Sequence, residues 1–208
     1  MQILFGGTFD PVHNGHVAMM DALSAAFPHA LVHVIPNRLP PHRQSVADSG
    51  HRLAMLDLLL SGYERITVDR IEMERDGPSY TVDTLKAFRA EYGPDEPLVL
   101  SMGADAARGL ARWHQPERIV ELAHVCILDR DGQTAETPDV LASMRPVDSI
   151  DALAGSAFGC LCRLQTPAVP TSSTEVRGLI AEGIETLPVP QEIHDYISNH
   201  NLYRTVND

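Results

Sequence analysis

Two rhythms alternate along this chain. Short apolar runs rich in β-branched residues recur at 3–5, 31–35, 66–68, 98–100, 125–128 and 160–164. Between them, apolar residues return every three or four positions, the period that gathers them on one face of a helix. Residues 17–27 carry Met20, Leu23 and Phe27 on such a face, 51–60 carry Leu53, Leu56, Leu59 and Leu60, and 82–92 form a third helix that Pro94 stops. A short helix is expected at 116–122, and two more at 174–182 and 190–199. Strand followed by helix, repeated, predicts an α/β fold: a doubly wound, mostly parallel sheet covered on both faces, with a small C-terminal helical extension. From 129 to 157 the pattern weakens, because Gly132, Pro138, Pro146 and Gly155 interrupt any long element. A surface excursion with one short helix near 139–144 is expected there. No repeat or linker divides the chain, so residues 1–208 read as a single domain, with 171–208 as its helical closing part.

Length and composition narrow the picture. At roughly 150 residues per domain, 208 residues make one domain. Apolar residues at 44% and charged residues at 21% are those of a packed globular protein. The formal charge, 16 minus 28 or −12, argues against a broad basic field for nucleic acid, so an anionic ligand has to be met locally. The opening residues have neither the cationic start nor the apolar stretch of a secretory signal, and no apolar run is long enough for a membrane span. Cys126, Cys160 and Cys162 cannot all pair within one chain, which suits a reducing compartment. Cys160 and Cys162 read as strand residues sharing a face, half-buried rather than metal-binding. A cytoplasmic protein is expected, with a homo-oligomer as an open possibility and no nucleic-acid or membrane partner.

The chemistry concentrates in two strings. Residues 6–16 read Gly-Gly-Thr-Phe-Asp-Pro-Val-His-Asn-Gly-His, directly after the first strand and opening the first helix. Paired glycines let the backbone approach a ligand, and a helix start offers unpaired N–H groups and partial positive charge. His13 and His16, three apart on a helical turn, project together and can clamp one phosphate group. Taken singly, the same residues can be only a turn and a cap. A structural zinc site from Asp10, His13 and His16 is disfavoured, since one tight turn supplies all three ligands and no thiol is near. Residues 171–177 read Thr-Ser-Ser-Thr-Glu-Val-Arg, with Ser172 and Glu175 in capping-box spacing. That alone makes a well-capped helix. Arg177, four after Ser173 on the same face, adds a guanidinium fork and makes it a second anion site.

Together, Gly6-Gly7-Thr8-Phe9-Asp10-Pro11-x-His13-x-Gly15-His16 and Ser172-Ser173-Thr174-x-x-Arg177 resemble the paired signatures of the nucleotidyltransferase superfamily, most closely the bacterial nicotinate-nucleotide adenylyltransferases. Pro40-Pro41-His42-Arg43, the 79–85 string, Met102-Gly103-Ala104-Asp105, Trp113 and the closing Tyr196-Ile197 and Leu202-Tyr203 look like that family's intermediate landmarks. The resemblance implies a Rossmann-like nucleotidyltransferase fold and transfer of AMP from ATP to nicotinate mononucleotide, giving deamido-NAD and pyrophosphate. It implies His13, His16 and Arg177 as catalytic residues. Gly6, Gly7, Thr8, Phe9, Arg43, Ser172, Ser173 and Thr174 join them at ATP, with His42 and Arg43 reaching in from a loop; Arg43 stands where many relatives show lysine. It implies Ser79, Tyr80, Thr81, Asp105, Trp113, His114 and Arg130 at the mononucleotide. Trp113 would stack on the pyridine ring, and backbone donors near Thr81 would face the nicotinate carboxylate. His114 replaces a position that is often aromatic. Asp105 reads equally as a ribose acceptor or as a helix cap.

Magnesium is expected with ATP and without a dedicated protein ligand, although Asp10 could touch it through water. Two other readings share these features: an adenylyltransferase preferring nicotinamide mononucleotide or another phosphate acceptor, and a noncatalytic nucleotide sensor.

Overall fold

A computed structural model describes residues 1–39, 46–130 and 136–204, with Arg130 described in its backbone only. The strands are β1 (Gln2–Gly7), β2 (Leu31–Pro36), β3 (Ile66–Val68), β4 (Leu98–Gly103), β5 (His124–Arg130), β6 (Arg145–Pro146) and β7 (Cys160–Thr166). The helices are α1 (Asn14–Ala26), α2 (Ser49–Leu60), α3 (Ile71–Glu74), α4 (Thr81–Tyr92), α5 (Ala104–Arg108), α6 (Pro116–Ile119), α7 (Ser173–Ala181) and α8 (Gln191–Asn199). The seven strands form one sheet in the order β3-β2-β1-β4-β5-β7-β6, and every pairing is parallel. Among the described residues no helix is long and apolar enough to cross a membrane.

The period-two alternation of strand side chains divides the core into two layers. Ile3, Phe5, Val32, Val34, Val99, Cys126 and Cys162 face α1, α2, α7 and α8, while Leu4, Leu98, Leu100, Val125 and Ile127 face α4, α5 and α6. The closing helices are not peripheral to this arrangement: Val176, Ile180, Ile193 and Ile197 sit in the same apolar cluster as Met20, Leu23 and Met55.

Several expectations are corrected. On α2 the buried face runs through Arg52, Met55, Leu56, Leu59 and Leu60, and Leu53 is only partly covered, because the helix is turned to bring the arginine inward. α6 ends at Ile119, a turn earlier than its apolar pattern suggested. The segment before β7 is not a surface excursion. It forms short 3-10 turns at Asp139–Leu141 and Ile150–Gly155 and adds the edge strand β6, and it buries Leu141, Met144 and Leu153 against the sheet. All three cysteines are fully buried thiols rather than half-buried ones. Cys126 and Cys162 are register partners on neighbouring strands.

β1 and β4 are neighbours at the point where strand order reverses, so the connections leaving their carboxyl ends diverge to opposite faces. An open parallel sheet has its ligand crevice at that position.

Candidate active site

A cavity of about 680 Å3 opens at the carboxyl ends of these strands. Its wall includes Gly6 and Gly7 at the end of β1 and Thr8 after it, His13 at the cap of α1 and His16 on that helix, Ser101 to Gly103 on β4, and Thr171, Ser172 and Ser173 at the start of α7. The two strings, separated by more than 150 residues of chain, therefore face one space.

Local chemistry explains the shape of the first string. Phe9 has a φ of +51° and is 1% exposed; its ring lies under the chain so closely that a Cβ on Gly7 would come within 2.8 Å of it. Gly15 is required for a similar reason, since a Cβ there would meet the His13 ring at 3.0 Å and the Thr171 methyl at 3.3 Å. At that second position the two strings come close to each other. Phe9 thus belongs to the floor beneath the site rather than to the cavity wall.

His13 caps α1. Its Nδ1 accepts the Gly15 N–H at 3.2 Å, and the Nδ1 of His16 accepts the His13 N–H at 3.3 Å, completing a reciprocal capping box. The two rings stack with centroids 3.8 Å apart, and His16 is also held edge-on by Phe9 at 5.0 Å. With both Nδ1 atoms accepting, the neutral rings carry their protons on Nε2. The expectation of unpaired main-chain donors at this helix start is overturned: the Asn14 N–H goes to the Pro188 carbonyl, and those of His16 and Val17 go to His13. What α1 offers an anion is its dipole and two oriented imidazoles.

α7 is the converse. The Ser172 Oγ accepts the Glu175 N–H at 3.1 Å, but among the described residues the N–H groups of Ser173 and Thr174 meet no acceptor, as first-turn donors do when only one is capped. The Ser173 hydroxyl donates to the Pro11 carbonyl at 3.0 Å. Arg177 does not line the cavity; its guanidinium donates to the Asp10 carbonyl at 2.6 Å and to the Thr174 hydroxyl at 3.3 Å. Serine and arginine together lash α7 to the loop that carries the histidines.

Beneath that loop lies a buried network outside the set of expected site residues. The Asp10 carboxylate, 3% exposed, accepts the N–H groups of Val46 and Ala47 at 2.6 and 3.1 Å and the Tyr203 hydroxyl at 2.8 Å. Burial first, and then the neighbouring Asp10 charge, push the Tyr203 phenol well above its usual range. Arg52, 1% exposed, donates to the Thr8 and Asn37 carbonyls, each at 2.8 Å. Its guanidinium is pulled below its ordinary value by burial, against which the Asp10 charge acts. The signal was present in the sequence as an arginine on an otherwise apolar helical stripe.

The opposite end of the cavity is lined by Ser79, Tyr80, Thr81, Asp105, Trp113 and His114. Tyr80 and His114 stack at 4.3 Å. Tyr80 is the N-cap residue of α4 and makes no side-chain cap bond, and among the described residues the N–H groups of Thr81 and Val82 have no acceptor. The Ser79 hydroxyl accepts the Arg38 N–H at 3.0 Å, which fixes the turn before the helix. Asp105 lies in the first turn of α5 and pairs with Arg108; the capping position itself is Gly103. Arg43 and the neighbouring His42 lie outside the described residues, as does the Arg130 side chain.

Comparison with known proteins agrees with this architecture. The cytidylyltransferase-like family matches residues 4–179. A Pseudomonas aeruginosa protein described as a probable nicotinate-nucleotide adenylyltransferase is 38% identical over 206 residues, covering 97% of this chain and 96% of its own. One from Acidithiobacillus ferrooxidans with the same description is 36% identical over 209 residues, covering 98% and 95%. Among solved structures, a Plasmodium falciparum nicotinic acid mononucleotide adenylyltransferase complexed with NaAD superposes with a TM-score of 0.74 over 97% of this chain and 96% of that one; at 19% identity this is a likeness of fold. By sequence over nearly its whole length, the chain belongs to the cytidylyltransferase-like family, on its nicotinate-nucleotide adenylyltransferase branch.

Proposed function

We propose that this chain transfers the adenylyl group of ATP to nicotinate mononucleotide, releasing pyrophosphate. One observation carries the reading: two helix starts, one presenting stacked imidazoles and the other presenting N–H groups that meet no acceptor among the described residues, line a single cavity at the switch point of the sheet. Relatives covering nearly the whole chain are described as probable enzymes of this activity.

The reaction asks little covalent chemistry of the protein. A mononucleotide phosphate, with a second pKa near ~6, is largely dianionic at neutral pH and needs no general base. One of its oxygens forms a bond to the α-phosphorus of ATP while the bond from that phosphorus to the bridging oxygen breaks, and the electron pair leaves with pyrophosphate. Catalysis of such a displacement is placement and charge stabilisation. In our reading the Nε2–H groups of His13 and His16 meet the charge that develops around the α-phosphate and the bridging oxygen. The first turn of α7, with Ser172, Ser173 and Thr174, receives the departing phosphates. Arg177 holds the two starts at a fixed separation and places its charge beside them. Gly6, Gly7 and Thr8 form the floor for the nucleotide. The pyridine ring of the acceptor lies between Trp113 and the Tyr80–His114 stack, and the free N–H groups at the start of α4 point to an anionic substituent there.

Magnesium enters this scheme as the counterion of ATP. Among the described residues no group of three His, Cys, Asp or Glu side chains is placed to hold a metal. Asp10, the one carboxylate in the first string, already accepts two N–H groups and a phenol. The polyphosphate and water are the natural ligands of such an ion.

The test is pyrophosphate release from ATP with nicotinate mononucleotide and, separately, with the nicotinamide form at equal concentration. Faster release with the nicotinate form is expected. Preference for the nicotinamide form would assign a different acceptor, and ATP binding without release from either would make the protein a sensor.

A further inference from the structure

Among the described residues Arg112 is the one arginine in the cavity wall. It closes the 3-10 turn Leu110–Arg112, directly before Trp113, and its side chain is exposed and makes no hydrogen bond or ion pair with any described residue. Its guanidinium lies over Gly109, with Nη2 3.5 Å from where a Cβ would stand on that glycine. The two carboxylates of the cavity wall are already matched. Asp105 pairs with Arg108. Glu72 accepts from the Thr84 hydroxyl at 2.7 Å and from the Asn37 amide at 2.9 Å, and Arg75 stands 3.9 Å away.

The position of this unmatched cation is set by its neighbours. His114, two residues on, stacks on Tyr80, so the 110–114 segment abuts the start of α4, where the Thr81 and Val82 N–H groups meet no acceptor among the described residues. The phosphate-facing groups, His13, His16 and the start of α7, belong to the other end of the cavity. A guanidinium in the wall of this cavity, two residues before the His114 that stacks on the α4 cap residue Tyr80, suits a planar carboxylate and gives no comparable advantage to a neutral carboxamide.

We propose that Arg112 is the specificity-determining residue that selects the pyridine carboxylate over the carboxamide, an inference that rests on the mononucleotide reading above. Trp113 is the only tryptophan in the chain, so its fluorescence reports ring binding without turnover.

The test compares wild type, Arg112→Gln and Arg112→Lys in two assays. One is kcat/KM for each mononucleotide with ATP, and the other is fluorescence titration with each mononucleotide alone. Arg112→Gln is expected to lower kcat/KM and affinity for the nicotinate form about tenfold, the loss of one charge-assisted contact, while changing the nicotinamide form by less than about twofold. Arg112→Lys is expected to recover part of the loss. Equal losses on both mononucleotides would place Arg112 at their shared phosphate and overturn the proposal, as would no change on either. Should wild type turn over neither, the proposed reaction fails; the two titrations still decide Arg112.

Discussion

The two ends of the cavity are built by different means. At the phosphate end almost every group is held by main chain: imidazoles lock each other through a capping box, Ser173 and Arg177 tie α7 to carbonyls of the β1–α1 loop, and Arg52 and Asp10 brace that loop from below. At the ring end the groups proposed to recognise the acceptor are the half-buried Tyr80 and Trp113, the exposed His114 and Arg112, and the N–H groups that open α4. The difference teaches where precision is needed. Charge stabilisation at a reacting phosphorus depends on donors fixed to a fraction of an ångström, whereas a flat ring accepts a sandwich that adapts to it.

The comparison can be broken first at its brace. Arg52→Met leaves the Thr8 and Asn37 carbonyls without their donor, so stability should fall by about 2–6 kcal/mol, the desolvation penalty of two unsatisfied groups. Urea unfolding measures this; a change below about 1 kcal/mol would mean that the network is an ornament of the loop rather than its support.

Next in size is the imidazole pair. His16→Ala should lower kcat by more than about tenfold while ATP affinity stays within several-fold, since its proton donor is needed most as charge develops. Steady-state kinetics with a separate ATP titration distinguish this from a binding defect. Arg177→Ala should raise the KM for ATP several-fold and leave that for the mononucleotide nearly unchanged, because it loosens the phosphate end alone. The reverse pattern would mean that the two ends have been exchanged.

At the ring end, His114→Ala removes a surface stack. We expect a mononucleotide KM raised by a few-fold, within the ~0.5–1.5 kcal/mol of an aromatic pair, with the thermal midpoint unmoved. A cooperative loss of stability there would erase the contrast between the ends.

The smallest effect lies outside both. His124, fully buried in β5, exchanges bonds with the Ser156 carbonyl at 2.9 Å and the Cys160 N–H at 3.0 Å, and burial lowers its pKa. The neutral ring is therefore favoured in the folded state. Below an unfolded value of ~6.5 the unfolded chain takes up the proton first, so the stability from this residue is complete above that pH and fades as pH falls towards the folded value. Unfolding of His124→Asn across that range should lack this part of the acid slope.

What the sequence disclosed followed from physical rules that act locally. Continuous apolar runs located the six longer strands, which are covered on both faces, and period-3.6 patterns located the main helices, each of which buries one face whatever its partner. The strings at 6–16 and 171–177 were legible as helix starts, since caps are written in adjacent residues. Long-range partnership was not legible. Nothing near Arg52 in sequence says that its acceptors are Thr8 and Asn37, and nothing near Asp10 names Tyr203, 193 residues away. Nor did the motif reveal that α1 spends its first-turn donors on Pro188 and on its own cap, while two of α7 meet no acceptor among the described residues. The edge strand β6 escaped because two residues show no period.

The central claim is that both helix starts grip one triphosphate. A crystal structure of the chain with a non-hydrolysable ATP analogue tests it most directly. Phosphate oxygens are expected within hydrogen-bond distance of the His13 and His16 Nε2 atoms and, in the same molecule, of the Ser173 and Thr174 N–H groups. An analogue whose phosphates touch only one of the two starts would contradict it.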